Sequence, residues 1–143
     1  MKKLSIFLIL IGVSISCQDK IISESSSEKV KPAFTMYELT EGAMLMEEMY
    51  AYNMQLREKV RNGKVLDEMP AKFNKLPMVE LTEPSDRDEF YLTKANEFLK
   101  FQEAIYTAED PKKAFNQMVS SCIECHQQKC GGPIPRIKRL YID

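Results

Sequence analysis

The stretch Asp110-Pro111-Lys112-Lys113-Ala114-Phe115-Asn116-Gln117-Met118-Val119-Ser120-Ser121-Cys122-Ile123-Glu124-Cys125-His126 decides the fold. Asp110 before Pro111 is an N-cap followed by proline at the first helical position, an efficient helix start. Phe115, Met118, Cys122 and Cys125 then recur at heptad core spacing, with Val119 and His126 alongside. The segment therefore reads as an amphipathic helix whose apolar face carries both cysteines and the histidine. Gly131-Gly132-Pro133 stops it.

Upstream, the same periodicity recurs. Thr35 and Glu38 have the spacing of a capping box near Phe34. Leu39, Met46 and Val60 then share one heptad position with Asn53, while Met49 and Leu56 fill the other, up to a stop at Asn62-Gly63. This predicts a long first helix. Between Val65 and Pro84, Leu66, Met69, Phe73 and Leu76 keep helical spacing, but Pro70 and Pro77 confine the second helix to a few turns. Ser85 and Asp88 form a further capping pattern. Tyr91, Ala95, Phe98, Phe101 and Ile105 follow as a third helix ending near Ala108. Strict alternation is confined to Met78–Thr82, which reads as an extended connection. The expected fold is all-α: an antiparallel four-helix bundle with a short second helix and an irregular tail after Gly132. The tail interleaves Arg136, Lys138 and Arg139 with Ile137, Leu140 and Tyr141, and is expected to fold back over the helices.

Cys122-Ile123-Glu124-Cys125-His126 has the C-x-x-C-H spacing of covalent c-type haem attachment. On one helical turn the two cysteines reach the two vinyl groups of a porphyrin edge, and His126 turns its imidazole to the iron. The chain has a single histidine, so bis-histidine ligation within one chain is excluded. Three bland readings stand beside haem: a Cys122–Cys125 disulfide, a redox C-x-x-C pair, and zinc held by Cys122, Cys125, His126 and Cys130. Zinc sites usually gather ligands from separated segments, whereas these four are local. A thioredoxin-like pair needs a βαβ setting. Cys130 stays open between a haem-edge contact, an intermolecular disulfide and simple packing. Arg136, Lys138 and Arg139 stay open between haem propionates, anionic partners and a solvated face.

Residues 1–16 pair Lys2 and Lys3 with an apolar run too short to span a bilayer, which reads as a secretory leader. Ser14-Ile15-Ser16-Cys17 reads as a lipoprotein processing site, with Ser14 where leucine is usual. Cys17 becomes the lipid anchor in that reading. An ordinary leader cut near Cys17 is the alternative. Residues 17–33, rich in Ser, Glu and Lys, read as a flexible lipidated tether, and 34–143 as the haem-binding helical domain. The expected location is exported, on the periplasmic or cell-surface side of a bacterial membrane. With 143 residues there is room for one such domain. Twenty basic against 21 acidic residues give a net charge of −1, which leaves no basic surplus for nucleic acid.

With its attachment motif on the last of four helices, the chain resembles the cytochrome c′ family and its low-spin relatives, the class II c-type cytochromes. The resemblance covers about 34–128. It rests on Cys122–His126, on Phe115-Asn116-Gln117-Met118 and on Val60-Arg61-Asn62-Gly63-Lys64-Val65. Class I cytochromes place the motif near the N-terminus with a methionine well downstream, and here no methionine follows Met118. The tail from Lys129, including Cys130-Gly131-Gly132-Pro133-Ile134, departs from the family ending and is similar to that of small cytochromes of the Bacteroidetes. The short second helix also departs from the family, which puts the usual dimer interface in doubt.

The resemblance implies one covalent haem c with His126 as axial ligand. A methionine of the first helix completes the iron in low-spin relatives, whereas an apolar residue shields an open site in cytochrome c′ itself. Met46 is the candidate distal ligand, with Met44 and Met49 as alternatives and core filling as the bland role of all three. The expected function is non-enzymatic, membrane-tethered electron transfer with redox partner proteins. The alternatives are a five-coordinate haem protein binding small gases such as nitric oxide, its distal site lined by Leu39, Met46 and Phe115, and a non-haem zinc or disulfide module.

Overall fold

Thr40 accepts a hydrogen bond from the Ala43 amide at 3.4 Å and caps the first helix, α1, which spans Glu41–Arg61. The structure is a computed structural model that describes residues 38–64 and 67–143. The expected leader, tether, Cys17 anchor and Thr35 cap lie outside the described residues. The first helix thus begins at Glu41 rather than near Phe34. It ends where expected: Asn62 is its C-cap, and Gly63 takes φ +59°, a left-handed conformation that costs glycine little.

The residues with Pro70 and Pro77 do not form an α-helix. Ala71–Met78 is a 3-10 run with Pro77 inside it, burying Phe73 and Leu76. Pro77 has no amide to give an α-helical ladder and its ring clashes with the carbonyl four residues back, which disfavours an α-helix through this segment. A single 3-10 turn, Pro84–Asp86, leads into α2, Glu89–Ala104, capped by Asp88 accepting from the Tyr91 amide at 2.9 Å. Ser85 belongs to the turn, so Asp88 alone is the cap. The third helix, α3, runs Pro111–Lys129, with Asp110 accepting from the Lys113 amide at 3.0 Å. A short α4, Ile134–Ile137, and a 3-10 turn at Lys138–Leu140 complete the order.

The described residues are mostly helical and contain no strand. Fold class is therefore all-α, with three long helices, the second predicted stretch being 3-10. The most extensive packing is between α2 and α3. Phe73, Ile105, Phe115, Met118 and Val119 form the fully buried centre. On α1 the buried stripe is Leu45, Met49, Asn53 and Leu56. Leu39 precedes the helix and is 48% exposed, while Met46 and Val60 are only partly buried against the core. The stripe is thus rotated from the Leu39–Met46–Val60 line towards Leu45.

The C-terminal residues return across α1 and α3. Ile137, Leu140 and Ile142 are buried. The Asn116 side chain donates to the Ile142 carbonyl at 2.7 Å and accepts from its amide at 2.9 Å. Arg57 donates to the Leu140 and Tyr141 carbonyls. No helix among the described residues is long and apolar enough to cross a membrane.

Candidate haem-attachment site

The last turns of α3 carry Cys122, Cys125 and His126 on the side that faces the core. Cys122 and Cys125 are partly buried against the hydrophobic cluster and are free thiols. The Cys122 thiol donates to the Met118 sulfur at 3.8 Å. Burial, reinforced by Cys125, pushes the Cys122 thiol up to about 12. Burial, reinforced by Cys130, pushes Cys125 up to about 11. Both thiols are thus held protonated at neutral pH in an apolar wall.

His126 follows directly. Its Nδ1 lies 3.1 Å from the Cys130 carbonyl oxygen. A carbonyl only accepts, so the tautomer that makes this bond carries its proton on Nδ1 and keeps the Nε2 lone pair free. Burial lowers the His126 pKa, opposed by that carbonyl bond, which favours the neutral ring a metal requires. The carbonyl is itself placed by the helix end, because the Cys130 amide donates to the His126 carbonyl at 3.1 Å.

Two cavities meet at these residues. One of about 420 Å³ is lined by Met46, Glu47 and Tyr50 of α1, by Leu81 and Thr82, by Cys125, His126 and Cys130, and by Arg136 of α4. The other, about 50 Å³, is walled by Met49, Leu76, Ala95, Phe98, Ser121 and Cys122. Met46, Tyr91, Cys125 and His126 line both. The larger volume falls within the usual span of small-molecule and cofactor sites, about 300–1,000 Å³. The residues present fit a covalent haem: two thiols one helical turn apart, an oriented imidazole with a free nitrogen, and adjoining space with an apolar inner wall.

Ion pairs fix the position of this turn on α2. Lys94 joins Glu97 and Glu124, both at 2.8 Å, and Glu124 sits between the two cysteines. Lys129 lies 2.6 Å from Asp88 and 3.7 Å from Asp86. Pairs whose carboxylate partner is open to solvent contribute about 0–1 kcal/mol each, so their role is register more than stability.

Of the candidate methionines, Met46 lines both cavities, Met49 is buried and lines the smaller, and Met44 is 49% exposed and lines neither. Leu39 and Phe115, expected around an open distal site, do not line the cavities. Among the described residues no three His, Cys, Asp or Glu side chains converge as a metal ion's ligands would. Cys122, Cys125, His126 and Cys130 therefore do not form a tetrahedral cluster. Sequence reading missed Tyr50, Tyr91 and Leu81 as cavity walls; no spacing rule signals them, because they arrive from three different segments. No protein-family model, no curated protein and no solved structure matches the chain.

Proposed function

We propose that this protein is a covalent monohaem c-type cytochrome of the class II kind, serving electron transfer between redox partner proteins. The observation that carries the reading is the His126–Cys130 carbonyl bond beside two free thiols at the wall of one cavity. In that arrangement Cys122 and Cys125 would hold the haem covalently and His126 would ligate its iron through Nε2. Cys130 orients the ring through its main chain, as outer-shell carbonyls do for metal-bound histidines. When bound, haem supplies one-electron exchange at its iron.

Met46 would supply the second iron ligand, because it alone among the candidate methionines lines both cavities beside His126. Tyr91, Phe98 and Leu76 give the smaller cavity an apolar wall, and burial against such a wall is one of the protein's means of setting a haem potential. The architecture is read as a reduced four-helix bundle in which 71–78 stands for the short second helix. Lipidation at Cys17 and the tether 17–33 would keep the domain on the periplasmic or cell-surface side of a bacterial membrane. No catalysis is assigned, since the only histidine is committed to iron.

Expression behind an export leader in a host with c-type maturation tests the proposal through absorption spectra of oxidised, reduced and carbon-monoxide-treated protein. A low-spin spectrum indifferent to carbon monoxide, with a thioether-to-iron charge-transfer band, is the expected result. A high-spin spectrum that responds to carbon monoxide would replace electron transfer with gas binding. Absence of covalent haem would overturn the proposal.

A further inference from the structure

The cavity beside His126 has a polar wall with two cations, Lys129 and Arg136, and three carboxylates, Glu47, Glu83 and Asp86. Lys129 is committed to Asp88 and Asp86, and its side chain is only 14% exposed. Arg136 has one carboxylate partner: its two terminal nitrogens donate to the two oxygens of Glu47 at 2.7 and 2.8 Å. A guanidinium has five N–H donors in a fixed plane, so this fork leaves three. That plane is already oriented. Its central carbon lies 4.0 Å from the Tyr50 ring centroid, and the Tyr50 hydroxyl donates to the Arg136 carbonyl at 3.4 Å.

We infer that Arg136 binds a propionate carboxylate of the haem, with Glu47 and Tyr50 holding its guanidinium ready; this rests on the haem reading above. A carboxylate entering this wall meets more acid than base, so it needs a cation with donors to spare. Lys129 is a point charge already shared between two carboxylates, whereas Arg136 is the cavity-lining cation that offers a planar fork. Its fork also matches a carboxylate in a way an ammonium does not. Glu47 keeps the guanidinium from collapsing into solvent, and Tyr50 covers one face of its plane.

The test uses haem-loaded protein and four variants: Arg136→Gln, Arg136→Lys, Glu47→Gln and the double Arg136→Gln/Glu47→Gln. Midpoint potential is read at fixed pH and salt, and hydrogen bonding to the propionates is read from their bending bands in the resonance Raman spectrum. Loss of a cation beside a haem carboxylate favours ferric iron, so Arg136→Gln is expected to lower the potential and shift those bands. Arg136→Lys keeps the charge and shifts the bands with a smaller change in potential. Glu47→Gln raises the potential.

The double variant decides the matter, because one positive and one negative charge leave together. A potential still below wild type, with shifted propionate bands, supports the inference. A double variant with wild-type potential and unshifted bands makes Arg136 a strut between the tail and α1 and overturns it. Thermal melts of each variant by circular dichroism identify any change caused by unfolding, in which case Arg136→Lys, which retains the ion pair, carries the Raman comparison. A wild-type protein without covalent haem overturns the haem reading and this inference with it, a result distinct from haem that ignores Arg136.

Discussion

His126 Nδ1 lies 3.1 Å from the carbonyl oxygen of Cys130 and 3.2 Å from its sulfur. The carbonyl fixes the tautomer, so the main chain and not the thiol should orient the ring. Cys130→Ser is therefore expected to leave covalent attachment and the axial-ligand spectrum unchanged. Cys130→Pro should disturb both, because φ at this position is −156°, far from proline's value, and its amide donates to the His126 carbonyl. Absorption spectra of the two loaded variants check the pair. A changed spectrum in Cys130→Ser would transfer the orienting role to the sulfur.

The three methionines of α1 should separate by what they touch. Met46→Ala should open the iron, giving a spectrum that responds to carbon monoxide. Met49 is 7% exposed, so Met49→Ala should cost about 2–5 kcal/mol in denaturant unfolding while keeping the ligand spectrum. Met44→Ala, at a half-exposed position, should stay within about 0.5 kcal/mol of wild type. Carbon monoxide binding by Met49→Ala but not by Met46→Ala would move the ligand assignment to Met49.

What was legible in the sequence was local. Asp110-Pro111 and Asp88 announce the starts of α3 and α2 through their own side chains, and Asn62-Gly63 announces the end of α1 through backbone preference. The Cys122–His126 spacing is likewise local, so the candidate site's residues can be named without a structure. Thr35 and Thr40 both offer capping chemistry in the sequence, and α1 begins after Thr40, where contacts distant in sequence hold its first turn. Thr40 meets Thr82 at 3.1 Å, and the Gly42 amide meets the Glu80 carbonyl at 2.8 Å. The 3-10 run at 71–78 has apolar residues at α-helical spacing, so periodicity alone does not distinguish the two. The Glu47–Arg136 pair joins residues 89 apart in sequence, beyond the reach of any periodicity argument.

Gly42 sits where α1 touches the 79–82 segment. Glycine to alanine inside a helix normally stabilises by about 0.5–1 kcal/mol. Here a Cβ would lie 2.7 Å from the Glu80 carbonyl oxygen, 3.1 Å from Leu81 and 3.2 Å from Val79. The Gly42 amide, one of the unpaired donors of the first helical turn, also uses that carbonyl. Gly42→Ala should therefore destabilise by about 1–3 kcal/mol, the range for overpacking, instead of stabilising. Because Leu81 lines the larger cavity, the loaded variant should also show a shifted midpoint potential. Equal or greater stability than wild type in denaturant unfolding would mean that the segment yields without cost.

Tyr91 ties the two cavities to the protein's behaviour in alkali. Its hydroxyl donates to the Leu76 carbonyl at 2.6 Å, and the residue is 3% exposed. Burial, aided by Cys125 and opposed by Arg87, pushes its pKa up to about 12 from 10.0. A phenol raised in the folded state binds its proton more tightly there than in the unfolded chain. Its contribution is complete below pH 10, where both states are protonated, and is lost as pH rises towards 12, where the unfolded chain has ionised and the folded one resists. Stability should fall across that window by up to about 1.4 kcal/mol per pH unit from this group. Tyr106, raised by burial and then by its bond to Tyr52, adds to the slope. Tyr91→Phe should start lower at neutral pH, having lost the Leu76 bond, and then decline less steeply. Denaturant unfolding at pH 8 to 12 on haem-loaded Cys130→Ser protein, in which Cys125 is a thioether and burial alone raises Tyr91, measures both slopes; parallel curves for the variant and wild type would take the alkaline loss away from Tyr91.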